Sequence, residues 1–241
     1  MSTPRCFLDD ALAEGAELLS TAAQAHRLGT VLRRGVGDAV ALFNARDGEF
    51  AATIVHLRKD RCSFAVGPRR RAPAPEPDLR LLVAALKRDA LDWVVEKATE
   101  LGVSVIQPVT TRRSVVDRVN VERLSAIARG AAEQCERLSV PTVHPALPLH
   151  AALDAWDGAP LLVGAERRDA APIRGVAATL RLPCGWLVGP EGGFDPGELD
   201  VATRHAFVTP VALGPRILRA ETAAVAGLAV LQALAGDWTA I

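Results

Sequence analysis

From Leu79 onward the chain alternates short apolar runs with helical stretches, and this alternation constrains the fold more than any other feature. "LRLLVAAL" (Leu79 to Leu86) has the length and composition of a buried strand. "ALDWVVEKATELG" (Ala90 to Gly102) reads as a helix closed by Gly102, and "VSVIQPV" (Val103 to Val109) as the next strand. A helix around Val121 to Leu138 follows, then strands at Pro160 to Ala165, Gly185 to Val188 and Phe207 to Leu213, and a last helix from about Ala220 to Ala235. The series predicts an α/β fold, a parallel sheet with helices on both faces. Ligands of such sheets gather beyond the carboxyl ends of the strands, which directs attention to the strand-to-helix junctions.

Two junctions share one design. In "LVGPEGGFDPGELD" an apolar strand runs through a Pro and two adjacent glycines into a helix start, with Asp195 as N-cap, Pro196 at the first helical position and Glu198 placed to complete a capping box. The glycines let a ligand approach the backbone, and amides near a helix N-terminus favour an electron-rich group. In "LGPRILRAETAAVAG" the strand ending at Leu213 passes through Gly214-Pro215 and Ile217, Leu218 and Arg219 into another helix. Two such loops at one sheet edge can clamp one ligand; a pair of tight turns without a ligand is the plainer reading. The second helix is rich in small residues (Ala223, Ala224, Ala226, Gly227, Ala229), which suits close packing within one core or against a second subunit.

The segment "RRRAPAPEPD" (Arg69 to Asp78) is rich in proline and charge and marks a linker. We place a small β-rich domain at 1–70, the linker at 71–78 and the α/β domain at 79–241. In the first domain, alternation on both sides of "ARDG" predicts a β-hairpin turning near Asp47-Gly48. "GVGDAV" has Val40 where a dinucleotide fingerprint needs its third glycine and precedes a strand, so it reads as a turn. Net charge is zero, yet residues 1–71 hold 11 Lys+Arg against 8 Asp+Glu, and the rest 17 against 20. The N-terminal part is therefore the better candidate for phosphates, a solvated basic surface being the alternative. The four cysteines are scattered without C-x-x-C spacing, so neither a zinc site nor a disulfide framework is signalled, and they read as reduced and mostly buried. No basic-plus-apolar leader opens the chain, and its longest nearly apolar run, around Ala223 to Ala235, is too short to span a bilayer. A cytoplasmic protein with no membrane contact is expected.

"KATELGV", "TRRSVV", "AAEQCERLSVP", "LVGPEGGFDPGEL" and "LGPRILRAETA", in this order, resemble the 16S ribosomal RNA uridine N3-methyltransferase family of the knotted (SPOUT) class. "HRLGTVLRRGVGD" resembles that family's PUA-like RNA-binding module, so the likeness covers nearly the whole chain. It implies a β-barrel-like RNA-binding domain joined to an α/β domain whose C-terminal part is threaded as a trefoil knot. General rules of chain topology count against threading, so the knot is expected from the resemblance alone. The resemblance also implies a homodimer that binds S-adenosylmethionine at the knot and methylates N3 of a uridine in small-subunit RNA. Asp117 and Cys135 depart from the family pattern, which commonly has a basic residue and a small hydroxyl residue there.

By that resemblance, cofactor binding is carried onto Gly189, Glu191, Gly192, Gly193, Leu213, Gly214, Ile217 and Leu218, with Ala165 and Glu166 beside them. Uridine N3 is a poor nucleophile until its proton leaves, so catalysis needs a base, or a cationic donor for the charge developing on O2 or O4. Arg219 and Glu221 supply these groups, or else form a structural ion pair at the helix start; Arg137 and Glu133 are weaker candidates for the same work or for gripping RNA. For RNA contacts we single out Arg5, His26, Arg33 and Arg34, then Arg112 and Arg113, which would position the substrate and carry little sequence information. No metal is required and no His/Cys/Asp cluster suggests one. The rival readings are a knotted methyltransferase acting on another RNA or a ribose hydroxyl, and a non-catalytic ribosomal RNA-binding assembly factor. Retention of both loops argues against the latter. A phosphate-binding hydrolase ranks last, because no G-x-x-x-x-G-K-[ST] loop or nucleophile-base pair is present.

Overall fold

The structure, a computed structural model, describes residues 3–165 and 170–240. The chain forms two compact units, one of residues 1–75 together with 132–140, the other of residues 76–131 together with 141–241.

The first unit is built on a five-stranded sheet of β1 (Arg5–Phe7), β2 (Glu17–Leu19), β3 (Ala39–Asn44), β4 (Gly48–Leu57) and β5 (Cys62–Arg71), in the order β1-β3-β4-β5-β2. Only the β1–β3 pair is parallel. The β3–β4 hairpin turns where Asn44 pairs with Gly48. Asn44 Oδ1 accepts from Asp47 N at 2.6 Å, and Gly48 has φ +90°, where a Cβ would overlap the Arg71 carbonyl. "GVGDAV" is a turn up to Asp38. Arg69–Arg71 are strand, not linker, because Arg69 pairs with Phe50 and Arg71 with Glu49. Helix α1 (Ala22–His26) is held by a capping box between Thr21 and Gln24 and runs into one π-helical turn, Arg27–Val31. One face of the sheet buries Cys6, Leu42, Ile54 and Phe64 beneath Leu28. Elsewhere in the unit, Phe43 packs with Ala132 and Leu138, flanked by Phe7 and Val140.

In the second unit every strand pair is parallel, in the order β11-β13-β10-β12-β6-β7-β8 with β9 beside β7. In chain order the elements are β6 (Leu79–Ala84), α2 (Arg88–Glu100), β7 (Val103–Thr110), α3 (Val121–Gln134), β8 (Thr142–Val143), β9 (Leu147–Pro148) and α4 (Leu149–Asp154). Then come β10 (Leu161–Gly164), β11 (Ala171–Pro172), α5 (Ile173–Ala177), β12 (Cys184–Val188), α6 (Pro196–Ala202), β13 (Val208–Ala212) and α7 (Ala220–Ala235). Adjacent residues of β12 show why both faces are covered: Leu187 joins the cluster of α4 and α6, whereas Trp186 donates its indole N–H to α7 at Ala223 O, 3.2 Å away. Near-continuous apolar strands such as β6 are what burial on two faces demands.

Helix α3 stops at Gln134, short of the expected Leu138, and Glu136 turns with φ +65°. Its end is taken over by Arg5, whose guanidinium donates to the carbonyls of Ala132, Glu133 and Arg137. At α6 the Asp195 carboxylate accepts from Gly197 N and Glu198 N as expected, but Glu198 makes no capping box. Its carboxylate accepts instead from Arg112 N at 3.2 Å.

Candidate active site

Strands β13, β10 and β12 are neighbours and parallel, so the loops after Gly164, Val188 and Ala212 open at one edge of the sheet. Together they enclose a cavity of about 1020 Å³. Ala165, Gly189, Glu191, Gly192, Gly193, Leu213, Gly214, Ile217 and Leu218 all line it. Glu166 lies outside the described residues.

Local chemistry explains the shape of these loops. Gly193 and Gly214 have φ +68° and +121°, conformations costly for any side chain. At Gly189 a Cβ would stand 2.9 Å from the Phe194 ring, which folds back over the loop and itself lines the cavity. The "TRRS" segment clasps the same loop: Arg113 donates to the Gly192 carbonyl at 3.0 Å, and Arg112 pairs with Asp195 at 3.0 Å. Arg113 thus belongs to the cavity lining, and Arg216 adds a second cation. Lining residues that the sequence does not single out for this site include Gly164, Phe194 and Arg216, which sit in the expected loops, and Ala220 and Ala223, which sit on the helix beyond them. Ala220 and Ala223 lie three apart on α7, on one face of the small-residue helix, so the signal was present.

Arg219 is the N-cap residue of α7, exposed, with no side-chain cap. Glu221 stands half-buried in the first turn of that helix, and no ion pair joins the two. The residues on either side of Arg219, Leu218 and Ala220, line the cavity.

The expected RNA-binding residues divide. Arg5 is a correction. Its side chain is buried, ion-paired to Glu49 at 2.8 Å, bonded to three carbonyls and stacked 3.9 Å from the Phe43 ring centroid, so no phosphate can reach it. Glu133 is likewise buried, accepting from Phe7 N and pairing with Arg27, which removes it from the catalytic candidates. Arg137 is half-buried and donates to Ser139 Oγ at 2.8 Å. His26 and Arg33 are exposed and Arg34 half-buried in the first unit. Among the described residues no group of three or more His, Cys, Asp and Glu could hold a metal, and no helix is long and apolar enough to cross a membrane.

A parallel sheet with these three loops at one edge is the scaffold of an RNA methyltransferase, and the RNA methyltransferase domain family matches residues 73–232. The chain is 33% identical over 236 residues to the ribosomal RNA small subunit methyltransferase E of Rickettsia conorii, covering 97% of each protein, and 28% identical to that of Bacillus subtilis over 88% of each. The crystal structure of the Neisseria gonorrhoeae ribosomal RNA small subunit methyltransferase E, bound to S-adenosylmethionine, superposes with a TM-score of 0.87 at 29% identity over 98% of this chain and 100% of that one. A putative methyltransferase of Legionella pneumophila, also in complex with this cofactor, gives 0.87 at 28% over the same shares. The chain belongs to the ribosomal RNA small subunit methyltransferase E family.

Proposed function

We propose that this protein transfers a methyl group from S-adenosylmethionine to N3 of a specific uridine in the 16S ribosomal RNA of the small subunit. The observation that carries this reading is the cavity of about 1020 Å³ framed by the three loops. Its volume lies near the top of the ~300–1,000 Å³ range of small-molecule sites. The lining suits the donor: Val188, Val211 and Ile217 offer apolar walls for a flat base, the loop amides and carbonyls meet hydroxyls, and Arg113 and Arg216 suit a carboxylate. When bound, S-adenosylmethionine supplies an electrophilic methyl group on a cationic sulfur. Ala165, Gly189, Glu191, Gly192, Gly193, Leu213, Gly214, Ile217 and Leu218 would hold it, together with Glu166.

The reacting uridine must lose its N3 proton and carry negative charge onto O2 and O4. Glu221 takes the proton and Arg219 donates to the developing oxyanion, both at the start of α7 beside the cavity lining. His26, Arg33, Arg34, Arg112 and Arg137 meet RNA phosphates and position the substrate, whereas Arg113, expected among them, faces the donor cavity. The finer architecture follows the family resemblance: a PUA-like N-terminal domain that takes in β5 through Arg71, a proline-rich linker up to Asp78, a knotted methyltransferase domain from Leu79 onward apart from the returning segment 132–140, and a cytoplasmic homodimer.

The test is methyl transfer from labelled S-adenosylmethionine to small subunits lacking their uridine methylation, with naked 16S RNA alongside and the product nucleoside identified by mass spectrometry. N3-methyluridine is the expected product. A methylated ribose or another base would reassign the reacting atom, and a chain that neither transfers nor binds the donor would overturn the enzyme reading. Within that assay Arg219→Ala should lower the turnover rate by about a hundredfold while donor affinity stays within about threefold.

A further inference from the structure

Trp186 does not line the cavity, yet it stands directly behind two residues that do. Its side chain is fully buried. Towards the end of β10 it meets Gly164, where a Cβ would come within 3.2 Å of the ring, and towards α7 it meets Gly227, where a Cβ would overlap the indole. The indole N–H donates to Ala223 O, 3.2 Å away. Gly164 and Ala223 are both cavity wall. One ring therefore fills the space between the floor of the site and the helix that closes it, and absent side chains on both sides admit it. In an interior packed to crystal density such a ring cannot shift without moving its neighbours.

We propose that Trp186 is the positioning residue of the donor cavity: wedged between Gly164 and Gly227, its ring sets the distance from β10 to α7 and so the width of the site. The N–H bond to Ala223 fixes the rotation of α7, which carries Ala220 and Ala223 into the wall. Trp186 acts through these residues and touches no reactant. The inference rests on the reading of this cavity as the S-adenosylmethionine site.

The test measures S-adenosylhomocysteine binding by calorimetry, well below the melting temperature, for the full chain and for Trp186→Phe, Gly227→Ala and the double variant. Gly227→Ala, which drives a methyl group into the indole, should weaken binding at least about tenfold, since displacements of about 1 Å in a site have effects of that order or more. Trp186→Phe should weaken it about threefold or more. The double variant should bind more tightly than Gly227→Ala alone, because the smaller ring makes room for the new methyl. Intrinsic fluorescence should change on ligand addition in the wild type, and this change should be lost in Trp186→Phe. If both single variants bind within about twofold of wild type, or the two losses simply multiply in the double variant, Trp186 is ordinary core and the inference is overturned. Should Gly227→Ala fail to fold, Trp186→Phe and the fluorescence difference decide the matter. Wild-type protein that binds no ligand would instead count against the function proposed for the cavity.

Discussion

Three of the four thiols, Cys6, Cys62 and Cys184, lie where solvent does not reach. Burial pushes the Cys6 thiol up to about 12, with the nearby Arg27 charge only partly opposing it, and pushes Cys62 and Cys184 up to about 11. Because the thiolate is the reactive form, maleimide at about pH 7 should label the native protein once, at half-buried Cys135, and the other three only after unfolding. Fast labelling of Cys184 in the native state, read by mass spectrometry, would contradict this. A second residue-scale prediction concerns Arg80, which bonds Asp78 and Asp157, each at 2.6 Å, while Ser104 donates to Asp78. Arg80 holds both carboxyls below their usual 3.8, Asp78 with help from Ser104. Depressed carboxyl values contribute stability that is present at neutral pH and lost as pH falls below about 4 through the native-state values. Both carboxylates are about half exposed, so solvent screening keeps the contribution modest. Arg80→Ala should lower the urea midpoint at pH 7 and flatten its fall below about pH 4. Arg5 was opaque at this scale: a basic residue near a chain start looks solvated in one dimension, and only the distant carbonyls of Ala132, Glu133 and Arg137 make it structural.

Helix α2 ends where Gly102, at φ +79°, turns the chain into β7. A Cβ there would stand 2.5 Å from Gln232 Nε2, which donates to Leu101 O at 2.6 Å and so ties α7 to the end of α2. Gly102→Ala therefore meets both a left-handed backbone, which costs of order 1–3 kcal/mol for a side chain, and a buried amide. Chemical denaturation should show an unfolding free energy lower by at least that amount, and a Gly102→Ala protein as stable as wild type would refute the argument. Elements with strong periodicity were legible in the sequence: α2, α7 and the buried strands β6, β7, β10, β12 and β13 sit within a few residues of their expected places. Short elements were not. α1, α4 and α5 have five or six residues and β8, β9 and β11 only two, too few for a period to register. The glycine loops announced themselves because positive φ and helix caps leave local marks, whereas Phe194 and Arg216 enter the cavity through loop geometry that no residue pattern encodes.

At the scale of the molecule, sequence order and spatial grouping part company. Residues 132–140 belong with 1–75, more than fifty residues earlier in the chain. That segment supplies what the N-terminal sheet lacks: Ala132, Leu138 and Val140 pack with Phe43 and Phe7, three carbonyls accept from Arg5, and Glu133 receives Phe7 N and Arg27. Cutting the chain in its proline-rich stretch would strip these partners away. A fragment of residues 1–75 would keep Glu49 for Arg5 but lose the three carbonyl acceptors, hydrogen bonds of a charged group being worth about 1.5–3 kcal/mol each, and would leave Phe43 without Ala132 and Leu138. Small domains have little stability in reserve. The fragment should therefore show a broad thermal transition and weak protection in hydrogen exchange, whereas the same fragment extended by residues 132–140 through a flexible linker should melt cooperatively. Glu133→Gln in the extended fragment separates packing from charge. It retains the volume and an acceptor for Phe7 N but loses the ionic partner of Arg27, and should restore most but not all of the transition. If residues 1–75 alone fold as cooperatively as the extended fragment, the returning segment contributes no stability and its contacts are incidental.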